Sequence, residues 1–272
     1  MPPHPIVKIP ATSGTFCWFE LTTRAAMDGA RFYEQLAGLA PQPLPGPGGG
    51  TPYQILMKDG EPIGGVMPME GPQWPADLPS HWVPYVVVED VDMIHREAVR
   101  LGGRACVAPM DIPIGRFSVL NDPSGAVFTA FKAAPGKTDG QNPMGDGAMV
   151  WCELGVPDPA TVLPFYERLL GWRGVEVSVE KWRYQRMHCA AGSAVASIYR
   201  RDETPGGARP HWIPYLCVPE VGAATEKARS LGATVHFTAM EIPGMGRFAG
   251  ITDPTGADVH LFEPRGGLPV QA

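Results

Sequence analysis

This 272-residue chain contains its own pattern twice. Trp18-Phe19-Glu20-Leu21 returns as Trp151-Cys152-Glu153-Leu154, 133 residues on. Phe32-Tyr33-Glu34 and Gly38 return at the same offset as Phe165-Tyr166-Glu167 and Gly171. His81-Trp82-Val83-Pro84-Tyr85 recurs as His211-Trp212-Ile213-Pro214-Tyr215 at an offset of 130. Gly115-Arg116-Phe117 recurs as Gly246-Arg247-Phe248, and Asp122-Pro123-Ser124-Gly125 as Asp253-Pro254-Thr255-Gly256, both 131 residues on. Matches this dense, in one order and with so little drift, mean a tandem duplication, and a repeat sets the architecture before any local pattern does. The expected organisation is a first domain over 1–132, a linker over 133–147 and a second domain over 148–272. The linker stretch, AAPGKTDGQNPMGDG, is polar and rich in Gly and Pro, as linkers are.

Each half is itself bipartite. Phe32, Leu36 and Leu39 share one helical face, and Phe165, Leu169 and Trp172 repeat it. Strand-like runs follow at 53–57 and 182–189. The order then repeats: a strand at 82–88, a helical stripe of Val91, Ile94, Ala98 and Leu101 stopped by Gly102-Gly103, and strands at 117–120 and 126–131. The second copy gives Val221, Ala224, Ala228 and Leu231 stopped by Gly232, with strands at 248–251 and 257–262. Asp-Pro-x-Gly joins the last two strands of each copy, with Asp, Pro and Gly at the places a type I turn favours.

Composition excludes several classes. Gly (33) and Pro (31) are abundant, yet 44% of residues are hydrophobic and 24 are Phe, Trp or Tyr, so these residues punctuate a folded chain rather than mark disorder. The formal charge is −6 without any Lys/Arg run, so nucleic acid is not an expected partner. No apolar run approaches the ~20 residues that span a bilayer, so no membrane partner is expected either. The first residues lack a secretory pattern. Five Cys without a C-x-x-C pair are read as free thiols in a reducing cytoplasm.

Four successive βαβββ units, with a Phe-Tyr…Leu-x-Gly helix end and an Asp-Pro-x-Gly hairpin before the last strand, resemble the vicinal oxygen chelate superfamily: glyoxalase I, bleomycin- and fosfomycin-resistance proteins and extradiol dioxygenases. The finer motifs, Trp-x-Glu-Leu, His-Trp-x-Pro-Tyr and Gly-Arg-Phe, are similar to those of tandem glyoxalase-like proteins often labelled hydroxylases. The resemblance implies an α+β fold, four βαβββ units paired into two glyoxalase-like domains, each with a curved mixed sheet around a cavity. A small-molecule ligand is the implied partner, and the protein would be a monomer or homodimer.

The resemblance also places the family's metal-ligand positions. The first-strand position falls on Trp18 and Trp151, its equivalent in the paired unit on Val83 and Ile213, and the last-strand position on Thr129 and His260. Strand residues two apart share a face, so Glu20, Glu153, His81 and His211 are neighbours of these positions. The second half thus offers Glu153, His211 and His260 as a candidate set for Fe(II), Mn(II) or Zn(II); the first half offers Glu20 and His81 with Thr129. The residues admit other readings. Glu20 and Glu153 could pair with the equally repeated Arg116 and Arg247 as structural ion pairs. His81 and His211 could cap a loop, and His260 could be a hydrogen-bonded cavity histidine. Trp18, Trp151, Tyr85 and Tyr215 could stack on a planar ligand or fill core. Cys152 and Cys217 have no counterparts and are expected buried and inert. His188 lies on an expected strand and could replace a ligand; His4, His95 and His236 are expected at the surface. The insertions 40–52 and 201–210 are expected over the cavity mouths or as surface loops.

Two chemistries follow. In an enzyme, a metal in the second half would stabilise a substrate anion, with Glu153 as general base near a C–H bond, or a redox-active iron would serve an oxygenase. In a binding protein of the bleomycin-resistance type, cavities lined by Trp18, Glu20, His81, Tyr85 and Arg116 in the first half and by Trp151, Tyr215 and Arg247 in the second would sequester a ligand without chemistry.

Overall fold

The computed structural model describes residues 7–44, 50–137, 141–179, 182–201 and 209–265. The first half runs β1 (Val7–Pro10), β2 (Phe16–Thr23), α1 (Ala26–Ala37), β3 (Ala40–Leu44), β4 (Tyr53–Lys58), β5 (Glu61–Pro68), β6 (His81–Val87), α2 (Val91–Arg100), β7 (Arg104–Ile112), β8 (Gly115–Asn121) and β9 (Val127–Ala133). The second runs β10 (Gln141–Met144), β11 (Met149–Val156), α3 (Leu163–Leu170), β12 (Arg173–Val179), β13 (Trp182–His188), β14 (Ala194–Arg200), β15 (Trp212–Cys217), α4 (Val221–Ser230), β16 (Thr234–Ile242), β17 (Gly246–Thr252) and β18 (Asp258–Pro264). Each half closes into one eight-stranded mixed sheet, ordered β3-β4-β5-β2-β6-β9-β8-β7 and β12-β13-β14-β11-β15-β18-β17-β16. The α+β class with four βαβββ units is therefore what the chain forms. The opening strands of two units meet antiparallel at mid-sheet, and each closing strand adds parallel to its own unit's opening strand.

Two stretches differ from expectation. The stretch expected as a linker carries β10, which pairs antiparallel with β1 in a separate two-stranded sheet. The insertion expected at 40–52 supplies edge strand β3 from its first five residues; its residues 45–49 and most of the insertion at 201–210 lie outside the described residues. Among the described residues no helix is long and apolar enough to cross a membrane.

The repeated motifs lock the halves together. One hydrophobic cluster includes Phe16, Tyr33, Trp82 and Phe128 from the first half and Phe165, Tyr166, Trp172 and Trp212 from the second. Tyr33 of α1 donates its hydroxyl to Asp253 in the second half's turn at 2.9 Å, and Tyr166 of α3 donates to Asp122 in the first half's turn at 2.9 Å. Trp82 and Trp212 donate their indole N–H groups to those same hydroxyls. The other carboxylate oxygen of Asp122 accepts the backbone N–H groups of Ser124 and Ala126, and that of Asp253 accepts those of Thr255 and Ala257. Each Asp-Pro-x-Gly thus shapes its own hairpin and receives the opposite half's helix. Helices α1 and α3 end in left-handed Gly38 (φ 71°) and Gly171 (φ 66°), which releases the chain directly into β3 and β12.

Candidate functional site

Alternation along the central strands of the second sheet sends one row of side chains to a concave face. Trp151 on β11 pairs with Tyr215 on β15, which pairs with His260 on β18; Glu153 follows Trp151 by two. These four side chains line a cavity of about 640 Å³, within the range that holds drug-sized ligands. Its walls add Trp182, Tyr184 and Arg186 from β13, Ser197 and Tyr199 from β14, and Phe237, Met240, Phe248 and Phe262 from the second unit.

Glu153 is the chemical centre of this floor. Its Oε2 accepts from the Tyr215 hydroxyl at 2.6 Å, and its Oε1 stands 3.3 Å from Nδ1 of His260. Burial pushes its carboxyl up to about 7, against the opposing pull of hydrogen bonds from Tyr215 and Ser197 and the charge of Arg201. Burial likewise pushes His260 down to about 3. Its imidazole stands edge-on to Tyr215, Phe237 and Phe248, with ring centroids 4.7–5.6 Å away. Among the described residues Nδ1 is a buried nitrogen without a hydrogen-bond partner, and with the imidazole held neutral by burial its approach to Glu153 is not an ion pair. Trp151 fixes the wall by donating Nε1 to Ser197 Oγ at 3.1 Å.

The first half builds the same constellation and lays a tyrosine over it. Tyr85 donates to Glu20 Oε2 at 3.2 Å, and Glu20 is pushed by burial to about 7 despite hydrogen bonds from Tyr53 and Tyr85. Trp18 donates Nε1 to the Tyr53 hydroxyl at 3.0 Å. That phenol lies over Gly65, where a Cβ would stand 1.8 Å from its oxygen. Gly65 pairs with Glu20 as Ser197 pairs with Glu153. A glycine in one copy and a serine in the other thus decide whether a tyrosine lies over the floor. Thr129, at the place of His260, is fully buried.

The two arginines are corrected by the structure. Arg116 pairs with Asp92 (2.8 Å) and Asp111 (2.9 Å), and Arg247 with Glu263 (2.6 Å) and Glu220 (3.4 Å), not with Glu20 and Glu153. Alternation along β8 and β17 is the reason. Phe248 points into the second cavity, so Arg247 beside it turns to the opposite face, where Glu220 caps α4; Arg116 likewise reaches Asp92 on α2. Arg247 is thus not among the residues that line the second cavity.

The histidine set is also corrected. His211 is placed 2.9 Å from the carbonyl of Arg209 through Nδ1 and 3.0 Å from Asp258 through Nε2, so both ring nitrogens are spoken for outside the cavity lining. His81 sits 2.8 Å from the carbonyl of Pro79 through Nδ1 at the entry of its strand, the contact expected of a loop cap. His188 meets the carbonyl of Gly192 and is not in the lining. His95 meets Ser118 and His236 meets Thr252; His4 lies outside the described residues. Cys152 and Cys217 are fully buried, and burial raises both thiols.

The residues present do not fit the family's metal. At the family positions the indoles of Trp18 and Trp151 present only N–H donors, already given to Tyr53 and Ser197. Val83 and Ile213 present none. Glu153 and His260 approach each other, but among the described residues no third His, Cys, Asp or Glu joins them.

Wall residues Trp182, Arg186, Ser197 and Phe248 were missed by sequence reasoning. Period-two alternation of Trp182, Tyr184 and Arg186 on an expected strand carried the signal for two of them, and Phe248 stood beside the arginine chosen instead.

Comparison with known proteins agrees with this architecture. The family model described as Glyoxalase/Bleomycin resistance protein/Dioxygenase superfamily matches residues 148–261. CFP32 of Mycobacterium tuberculosis, named as a glyoxylase, is 31% identical over 253 residues, covering 92% of this chain and 95% of its own. The anthracycline biosynthesis protein DauV of a Streptomyces species is 29% identical over 271 residues, covering 95% and 96%. Among solved structures, 2,2',3-trihydroxybiphenyl 1,2-dioxygenase of Sphingomonas wittichii superposes with a TM-score of 0.65 at 14% identity, covering 95% of this chain and 92% of its own. The Mn(II)-bound glyoxalase of Novosphingobium aromaticivorans gives 0.63 at 12% identity, covering 98% and 86%.

Proposed function

The chain belongs to the glyoxalase/bleomycin resistance protein/dioxygenase superfamily, and from that premise we propose that its second half binds a planar aromatic small molecule and moves a proton on it with Glu153. One observation carries the reading: a buried carboxyl, brought to about 7 and held by Tyr215, lies on the floor of an aromatic-walled cavity of about 640 Å³. A general acid or base works best when its pKa lies near the working pH, and burial is the usual way a glutamate gets there. The Tyr215 hydroxyl orients the carboxyl and stabilises its ionised form. His260, held neutral by burial, stands beside the carboxyl with Nδ1 3.3 Å from its Oε1. Trp151, Trp182 and Phe248 offer flat faces and edges to its rings and exclude water. The naming of a relative for anthracycline biosynthesis supports a fused planar ring system as the class of ligand. No step is routed through a metal, because the donor set lacks its third member.

The test uses tryptophan fluorescence, since Trp151 and Trp182 line the cavity, together with hydrogen–deuterium exchange of a carbon acid. 2-Acetylanthracene is titrated into the protein, and solvent exchange at its methyl group in D2O is followed by mass spectrometry. Glu153→Gln is expected to leave affinity within a few-fold and to slow exchange by about 100-fold or more, the usual worth of a positioned acid or base. Exchange at the wild-type rate in that variant would overturn the role of Glu153. Binding without any catalysed exchange in the wild type would leave a binding protein.

A further inference from the structure

A transverse row crosses the second sheet one step from the cavity's aromatic row. Arg186 on β13 is the register partner of Ser197 on β14, Ser197 is the partner of Glu153 on β11, and Glu153 is the partner of Ile213 on β15. Neighbouring strands lie ~4.8 Å apart, so Arg186 and Glu153 stand about 10 Å apart on one floor with a serine between them. The matching row of the first half reads Ile55, Gly65, Glu20 and Val83. The carboxyl is thus kept in both copies, whereas the arginine belongs only to the second half, in the wall of its cavity.

Arg186 meets no counter-charge among the described residues. Its Nη2 reaches only the Tyr184 hydroxyl at 3.4 Å and the Met245 sulfur at 4.0 Å, and its Nε is buried without a hydrogen-bond partner. The chain's other arginines in the cavity wall differ: Arg183 is exposed, and Arg200 is exposed and paired with Asp158. A guanidinium is a rigid fork of donors that matches a planar oxyanion through two parallel hydrogen bonds. Leaving part of that fork unsatisfied in an apolar wall is costly unless a ligand completes it.

We propose that the ligand carries a carboxylate or similarly planar acidic oxygen group, which Arg186 receives, and that its ring system reaches from there across Ser197 to present its reacting position to Glu153. The proposal rests on the aromatic-cavity reading above and narrows it to acidic planar aromatics. It also assigns Arg186 as the residue that sets orientation: a ligand anchored at the β13 end can place only its far edge over the carboxyl.

Anthraquinone-2-carboxylate and anthraquinone-2-carboxamide, equal in shape and different in charge, are titrated into the full chain with tryptophan quenching as the readout. The wild type is expected to bind the carboxylate about tenfold tighter or more, as for hydrogen bonds to a charged group. Arg186→Gln is expected to erase that preference while leaving the carboxamide within about twofold of its wild-type affinity, and Arg186→Lys to keep part of it. The wild-type comparison needs no variant, so a misfolded variant cannot shield the idea. Carboxamide binding as tight as carboxylate binding in the wild type, or an undiminished preference in Arg186→Gln, overturns the anion anchor while leaving the aromatic cavity standing. Failure of both compounds to bind the wild type overturns the cavity reading and the anchor with it.

Discussion

Replacing Glu153 by glutamine should change how stability depends on pH, and the size follows from the site. A glutamate titrates at 4.5 when unperturbed, and burial brings Glu153 to about 7. Between those values the folded chain keeps a proton that the unfolded chain has released. Stability therefore falls as pH rises, by about 1.4 kcal/mol per pH unit for one proton. The contribution is whole below pH 4.5, declines from there to about 7 and is gone above. Over the full interval the loss is about 3 kcal/mol. The amide of the variant has no proton to lose and can accept the same hydrogen bond from Tyr215. The variant's stability relative to wild type should accordingly rise by about 3 kcal/mol between pH 4.5 and pH 8, whatever constant offset the amide introduces. Urea unfolding at half-unit pH steps measures the difference of differences. His260, brought down to about 3, contributes in the opposite sense: the unfolded chain binds its proton below about 6.5, so that contribution makes stability rise with pH between about 3 and 6.5. Both proteins carry that histidine, so its contribution cancels from the comparison and the whole interval from 4.5 to about 7 reads the glutamate. A pH-independent difference between wild type and Glu153→Gln would falsify the claim that burial holds this carboxyl protonated.

Two further outcomes test the frame around the site. Tyr33→Phe removes a buried hydroxyl that donates to Asp253 and accepts from Trp82, so it should cost about 2–3 kcal/mol and lower Tm by roughly 5–10 °C; calorimetry showing a loss under about 0.5 kcal/mol would mean the cross-half bond contributes nothing. Gly65→Ser places a Cβ where the Tyr53 hydroxyl now lies, so a crystal structure of the variant should find that phenol displaced from Glu20 and Trp18; a tyrosine still seated there would remove the explanation for the difference between the copies.

Much of the fold was legible because its signals are local and doubled. Phe32-Tyr33-Glu34 with Gly38, and Asp122-Pro123-Ser124-Gly125, announced a helix end and a hairpin, and each was confirmed by an independent copy. Trp151 and Glu153 could be set on one face by counting along a strand. The same counting misplaced Arg116 and Arg247, because it does not say which of two faces the sheet turns to the helices. It also gathered His211 with His260 and Glu153, because face sharing does not reveal that Asp258 and a loop carbonyl already hold the imidazole of His211.

The amino-acid sequence by itself determined the duplication, the order of strands and helices, the turns and the family. The tertiary structure decided what the copies do with that plan. Tyr33 and Tyr166 each cross to the opposite half's turn, Tyr53 lies over Gly65, and Arg186 lines up with Ser197 and Glu153 across three strands. The physical reason is range. Backbone preference and alternation act over a few residues and can be read along the chain. Whether a buried donor finds an acceptor, and whether a cavity is filled or left open, depends on side chains that meet only when distant strands are laid side by side.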